Sequence, residues 1–255
     1  MNALTDSRIW KVLTTPSDSS HDQPRLKTNL DTNLLKIIAI ISMAVDHIGT
    51  AFFPAFPVFR YAGRLAFPIF CYCMTVGLLY TSNVKKYLTR LGIFALISQP
   101  FYIMAFHPYD WGEEWMNMNI YFTLFVSLLA MVGVKERKWH LFFIGLLLLT
   151  FLNFDYSRTG LTLMLIFFIC RNHPKAGAAL FFLSYVSAFW SGYPDDPKTL
   201  VLGGLNINWT VFSLLSMPFI FLRTNSKIKV NKYFFYIFYP AHLAVIWLVR
   251  VVLHI

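Results

Sequence analysis

Charge is what this chain has least of. Only 13% of its 255 residues are Asp, Glu, Lys or Arg, against about 25% in an ordinary soluble domain. Hydrophobic residues make up 57% and the mean hydropathy is +0.55, which excludes a free-standing soluble globule and indicates a polytopic membrane protein. Cysteine is sparse too. Cys71 and Cys73 project about 200° apart on a helix and Cys170 stands alone, so no shared metal site is expected and the thiols read as buried and inert. No glycine-rich phosphate loop, zinc signature, nucleophile elbow or inverted repeat occurs. Ser42 lies one turn before Asp46, but nothing in the pattern exposes it as a nucleophile. Residues 1–33 have no apolar core followed by a cleavage site and are expected to be a polar cytosolic extension rather than a signal peptide.

The net charge of +10 does not imply nucleic acid, because the basic residues sit in short connections between apolar runs. The pattern predicts an all-α membrane helix bundle of about nine transmembrane helices in a domain covering residues 34–255. The spans fall near 34–53, 58–80, 88–106, 119–134, 141–154, 160–171, 177–190, 206–222 and 233–253. Sixteen Lys and Arg fall on one side of these spans and only Arg158 and Lys198 on the other, while four lie within spans. By the positive-inside rule the N-terminus is expected inside, the C-terminus outside and the chain in the cytoplasmic (inner) membrane.

Residues 34–53, LLKIIAIISMAVDHIGTAFF, are long enough to cross the hydrocarbon yet carry Lys36, Asp46 and His47. An ionisable residue there costs about 2.5 to 3.5 kcal/mol on insertion scales, so each needs a partner or a function. Eleven residues separate Lys36 from His47, leaving them only about 20° apart around the helix and roughly 16 Å apart along it. One face therefore carries Lys36 near one surface and His47 well inside, and His47 is the expected centre of chemistry. Asp46 diverges from it by about 100° and is expected to meet Arg64 instead.

Other polar residues gather toward the outer half. Arg60 and Arg64 are one turn apart and either clamp an anion or balance Asp46. Asp110, Glu113 and Glu114 in the loop 107–119 either attract a cationic acceptor or form a solvated surface, and Asn119 opens the next span. Asp155 and Arg158 share a tight connection where they could pair. His242 lies in the last span just after Pro240, as a proton relay, a substrate contact or a core histidine.

Five segments in order, LLKIIAIISMAVDHIG, GRLAFPIF (63–70), NIYFTLF (119–125), YSRTGLTLML (156–165) and FYPAHLAVIWL (238–248), resemble the TraX family, named for a conjugative-pilus protein that acetylates the pilin N-terminus. Separately, Lys36-x10-His47 resembles the Arg/Lys-x10-His arrangement of acyltransferase-3 type membrane enzymes, whereas HPYD at 107–110 has the wrong spacing for the His-x4-Asp signature of another acyltransferase group. The resemblance implies transfer of an acetyl or other acyl group from cytosolic acyl-CoA to a membrane-associated or extracytoplasmic acceptor: a protein N-terminus, another amine or a sugar hydroxyl. It carries Asp46 and His47 onto the family's Asp-His pair, Arg64 onto its Gly-Arg motif, Asn119 onto its Asn-Ile motif and His242 onto its His-Leu motif. On this reading His47, Asp46 and Arg64 are catalytic, Lys36 and Arg90 hold the anionic end of acyl-CoA, and Arg60, Asn119, Asp155, Arg158 and His242 contact substrate. No metal is called for. The rival readings are a proton-coupled transporter or flippase, in which the same Asp, His and Arg form a proton pathway, and a noncatalytic assembly protein.

Overall fold

In lipid a backbone must satisfy its own hydrogen bonds, so apolar runs become helices and small polar residues mark where they begin. The computed structural model describes residues 28–107 and 115–254, so Asp110, Glu113, Glu114 and residues 1–27 lie outside it. Asp31 accepts from the Leu34 amide to open α1 (Thr32–Phe52). A short α2 (Val58–Gly63) breaks at Arg64 before α3 (Ala66–Tyr80). Asn83 caps α4 (Val84–Phe106), and Asn119 caps α5 (Ile120–Lys135). Next come α6 (Trp139–Phe151), α7 (Thr159–Ile169) and α8 (Pro174–Ser184). A two-stranded hairpin of β1 (Leu200–Leu202) and β2 (Leu205–Ile207) precedes a 3-10 helix, Trp209–Ser216, that runs into α9 (Met217–Phe221). Asn231 caps the last helix, α10 (Lys232–Leu253).

The chain is thus mostly helical. Among the described residues four stretches are long and apolar enough to cross a membrane: Thr32–Phe52, Val58–Tyr80, Val84–Phe106 and Lys232–Leu253. The remaining apolar helices are shorter.

Two sequence expectations change. The all-α expectation gives way at the hairpin, because Gly203 and Gly204 take φ of +58° and +80° and so make the two-residue turn that joins antiparallel strands. Hydrogen bonds from Gly192 N to Asn206 O (2.8 Å) and from Asn208 N to Ala188 O (2.7 Å) tie its base to the preceding segment, so residues 206–222 do not form one straight span. The packed fold also begins before Asn33. Thr28 and Asn29 are buried, Tyr72 donates to Asn29 O (2.5 Å), and the Asn29 amide donates to Phe219 O (2.8 Å).

Helix direction follows from contacts at both ends. Lys36 lies over Phe235 and His47 meets His242, so α1 and α10 run the same way. Phe94 stacks on Tyr236 and Arg250 donates to Ala105 O (2.8 Å), so α4 is parallel to both. Antiparallel α5 and α6 pack closely, since a Cβ on Gly145 would lie 2.8 Å from that of Ala130.

Candidate active site: a histidine pair, an arginine cluster and a cationic chamber

The face shared by Lys36 and His47 turns toward α10, and at its deep end two rings meet. His47 Nδ1 is 2.7 Å from His242 Nε2, and His242 Nδ1 is 2.9 Å from the carbonyl oxygen of Phe238, one turn back along α10. A carbonyl only accepts, so His242 Nδ1 carries the proton and, in a neutral ring, Nε2 is left as an acceptor. His47 must then donate from Nδ1, which leaves its own Nε2 without a proton. Among the described residues no hydrogen bond reaches that nitrogen, and His47 is only half-buried. Phe106 stands edge-on to His47 at 5.1 Å, and Phe238 stacks on His242 at 5.1 Å, fixing both rings. A bare imidazole nitrogen held in one orientation is equipped to accept a proton.

Asp46 lies around the helix from this pair and faces α2. Its carboxylate accepts from Arg60 Nη1 at 2.7 Å and from Arg64 Nη2 at 3.2 Å to each oxygen. Arg64 sits at the break between α2 and α3 and is 5% exposed; its guanidinium lies 4.1 Å from the Trp209 ring and 5.1 Å from Tyr156. Arg60 and Lys198 approach the same indole at 4.8 and 5.4 Å. This close approach requires Gly63, because a side chain there would run into the Asp46 carboxylate. Ser42 donates to Ala62 O (2.6 Å) and fastens α1 to α2 beside it.

Asp155 borders this cluster from the connection before α7. The side chain is open on one side, while desolvation by the surrounding protein raises its carboxyl to about 6; Arg64 and Arg60 oppose the shift and Asp46 adds to it. Among the described residues the possible pairing with Arg158 is not made: Arg158 is exposed, and the cations whose charge acts on Asp155 are Arg64 and Arg60. Asn119 is brought to neither centre. Its amide donates to Ala95 O (2.9 Å) and Gln99 Oε1 (2.8 Å) and its oxygen accepts from Tyr121 N (2.9 Å), so both donors are spent on locking α5 to α4. With no exposure at all, it packs α5 against α4.

Lys36 and Arg90, paired by the sequence as an anion-holding mouth, line one cavity of about 320 Å³ between α1, α3, α4, α5 and α10. Lys232 is a third cation on its wall, with Tyr87, Phe235 and Tyr236 beside it and no carboxylate among the lining residues. Lys36 Nζ lies 5.3 Å from the Phe235 ring and the Arg90 guanidinium 5.8 Å from Tyr87. Cys73 faces this space as well. Sequence reading missed Lys232, Tyr236 and Tyr239. Their signal is the recurrence of 232, 235, 236, 239 and 242 at helical spacing, which puts them along one stripe of α10 from the chamber to His242.

A family model described as TraX protein matches residues 31–250, covering every residue of the three centres just described. A Dichelobacter nodosus protein named probable fimbrial assembly protein FimC, serogroup H1, is 36% identical over 112 residues, which are 40% of this chain and 46% of that protein, so the match spans less than half of that relative. An uncharacterized protein of Rickettsia prowazekii (strain Madrid E), RP591, is 24% identical over 198 residues, 74% of each chain. No solved structure matches. With the family model extending over most of the sequence and through both α1 and α10, this chain belongs to the TraX protein family.

Proposed function

We propose that this protein is an integral-membrane acyltransferase that moves an acetyl or other acyl group from cytosolic acyl-CoA to an amine or hydroxyl at the outer side of the inner membrane. One observation carries the reading: the Phe238, His242, His47 hydrogen-bond chain leaves His47 Nε2 a fixed, unprotonated base on the same helix face as a chamber built from three cations. Lys36, Arg90 and Lys232 bind the phosphates of the donor, and the thioester extends inward toward His47. The acceptor nitrogen or oxygen attacks the thioester carbon while His47 Nε2 takes its proton. Collapse of the tetrahedral adduct breaks the carbon–sulfur bond, and the proton passes from His47 to the departing thiolate. Arg60 and Arg64 are spent on Asp46, so that cluster acts on the acceptor side, with Asp155 and Trp209 at its edge.

The excess of Lys and Arg on one side favours an N-terminus inside, and with that orientation the chamber opens toward the cytosolic face where acyl-CoA is found. The fimbrial name of the Dichelobacter relative favours a protein acceptor, an N-terminal amine of a surface-fibre subunit. The test is purified protein in liposomes with labelled acetyl-CoA and an amine acceptor peptide. Transfer is expected, and His47→Ala should lower it by about 10²-fold or more while the protein stays folded. Undiminished transfer by that variant rejects the assignment.

A second reading has an observation of its own. Tyr239, 1% exposed, separates the chamber from the histidines, as the gate of an alternating-access transporter would. Solute flux into vesicles without any covalent product would favour it.

A further inference from the structure

The interval between the cationic chamber and the histidine pair is filled by aromatic rings. Tyr121 forms the inner end of the chamber and is pinned to α10 by its hydroxyl, which donates to Phe235 O at 2.9 Å. Tyr239 packs against Tyr121 at 4.6 Å between centroids and, on its other side, reaches His242 at 5.5 Å and His47 at 6.1 Å. Phe235, Tyr239 and His242 lie within about 60° of one another around α10, so the three side chains mark successive levels of one path. Any group travelling from Lys36 toward His47 along that path meets the Tyr239 ring.

Resting on the acyltransferase reading, we propose that Tyr239 is the residue that limits the length of the transferred acyl chain. A ring held between the end of the chamber and the imidazoles occupies the room that a longer acyl chain would need. Each further methylene must displace the ring or enter the packed layer around Tyr121. Its neighbours are themselves fixed, Tyr121 by Phe235 O and His242 by Phe238 O, so the ring has little room to retreat. Sequence gives no such limit, because a tyrosine in an apolar span reads as ordinary core.

The experiment compares acetyl-, butyryl- and hexanoyl-CoA as donors to one amine peptide, for wild type, Tyr239→Phe, Tyr239→Leu and Tyr239→Ala in liposomes, with thermal unfolding recorded for each. Wild type and Tyr239→Phe should share a strong preference for acetyl. Tyr239→Leu and Tyr239→Ala should narrow the acetyl-to-butyryl ratio of kcat/KM by about tenfold or more, the discrimination that one or two methylenes supply in an apolar pocket. The leucine variant keeps most of the apolar volume, so it serves if the alanine variant does not fold. Folded Leu or Ala variants with the wild-type donor profile overturn the assignment of Tyr239 alone. A wild type that transfers no acyl group from any donor overturns both this and the acyltransferase reading.

Discussion

Replacing His242 by alanine separates the tautomer argument from a simple count of histidines. In the intact pair, the bond from His242 Nδ1 to Phe238 O and the 2.7 Å contact between His47 Nδ1 and His242 Nε2 are both made by neutral rings in the tautomer that leaves His47 Nε2 bare. A hydrogen bond of this kind contributes about 1 kcal/mol net, which corresponds to roughly a fivefold bias toward the competent tautomer. Without His242 that bias is lost and the His47 ring also gains freedom to turn, so kcat should fall by about 5- to 50-fold with little change in KM for acyl-CoA. His47→Ala removes the base itself and should cost about 10²- to 10⁴-fold. Because His242 acts through His47, the double variant should be no slower than His47→Ala alone. Glutamine at 242 offers an amide oxygen to His47 Nδ1 and should restore part of the rate. The assay is single-turnover transfer of labelled acetyl groups to a peptide amine, with unfolding temperature as the control for integrity. A His242→Ala defect as deep as that of His47→Ala, or a double variant whose losses multiply, would refute the reasoning, since His242 would then be acting on substrate directly.

Three further outcomes are expected. Gly63→Ala forces a methyl group into the Asp46 carboxylate and should destabilise the protein by about 1–3 kcal/mol, read as a lower unfolding temperature in detergent; an unchanged temperature would mean that α1 and α2 are not held this closely. Lys36→Ala and Arg90→Ala should each raise KM for acyl-CoA about tenfold with kcat nearly unchanged, in proportion to the loss of one charged contact, and the wild-type KM should rise with salt. Asn119→Ala removes the cap on Tyr121 N and two side-chain bonds to α4 and should cost about 1–3 kcal/mol of stability; loss of activity at unchanged stability would instead assign Asn119 to the substrate.

What the sequence discloses about the site is local. Helical spacing puts Lys36 and His47 on one face, and the structure turns that face to α10 at both levels. The same arithmetic separates Asp46 from His47, and Asp46 is found with Arg60 and Arg64. Partners on other helices are not encoded by spacing. Nothing near His47 names His242, and nothing near Asn119 names Gln99, because those contacts depend on how the bundle closes. The break at Arg64 is likewise hidden, since residues 58–80 are apolar enough to read as one continuous span. The Gly203-Gly204 pair falls in the connection between two expected spans, and only the hairpin's second strand, Leu205–Ile207, runs into residues read as the start of a span.

Pairing α1 with α10 has a consequence for biogenesis. The two imidazoles are 195 positions apart, at opposite ends of the described chain, and so are Lys36 and Lys232 at the chamber. Neither centre exists while the protein is still emerging from the ribosome, nor in any product cut short before the final helix. Only the docking of α10 against α1 and α4 brings the two imidazoles together and closes the cationic chamber, in a single event. A copy cut short anywhere before α10 therefore lacks the histidine contact and the Lys232 wall of the chamber together.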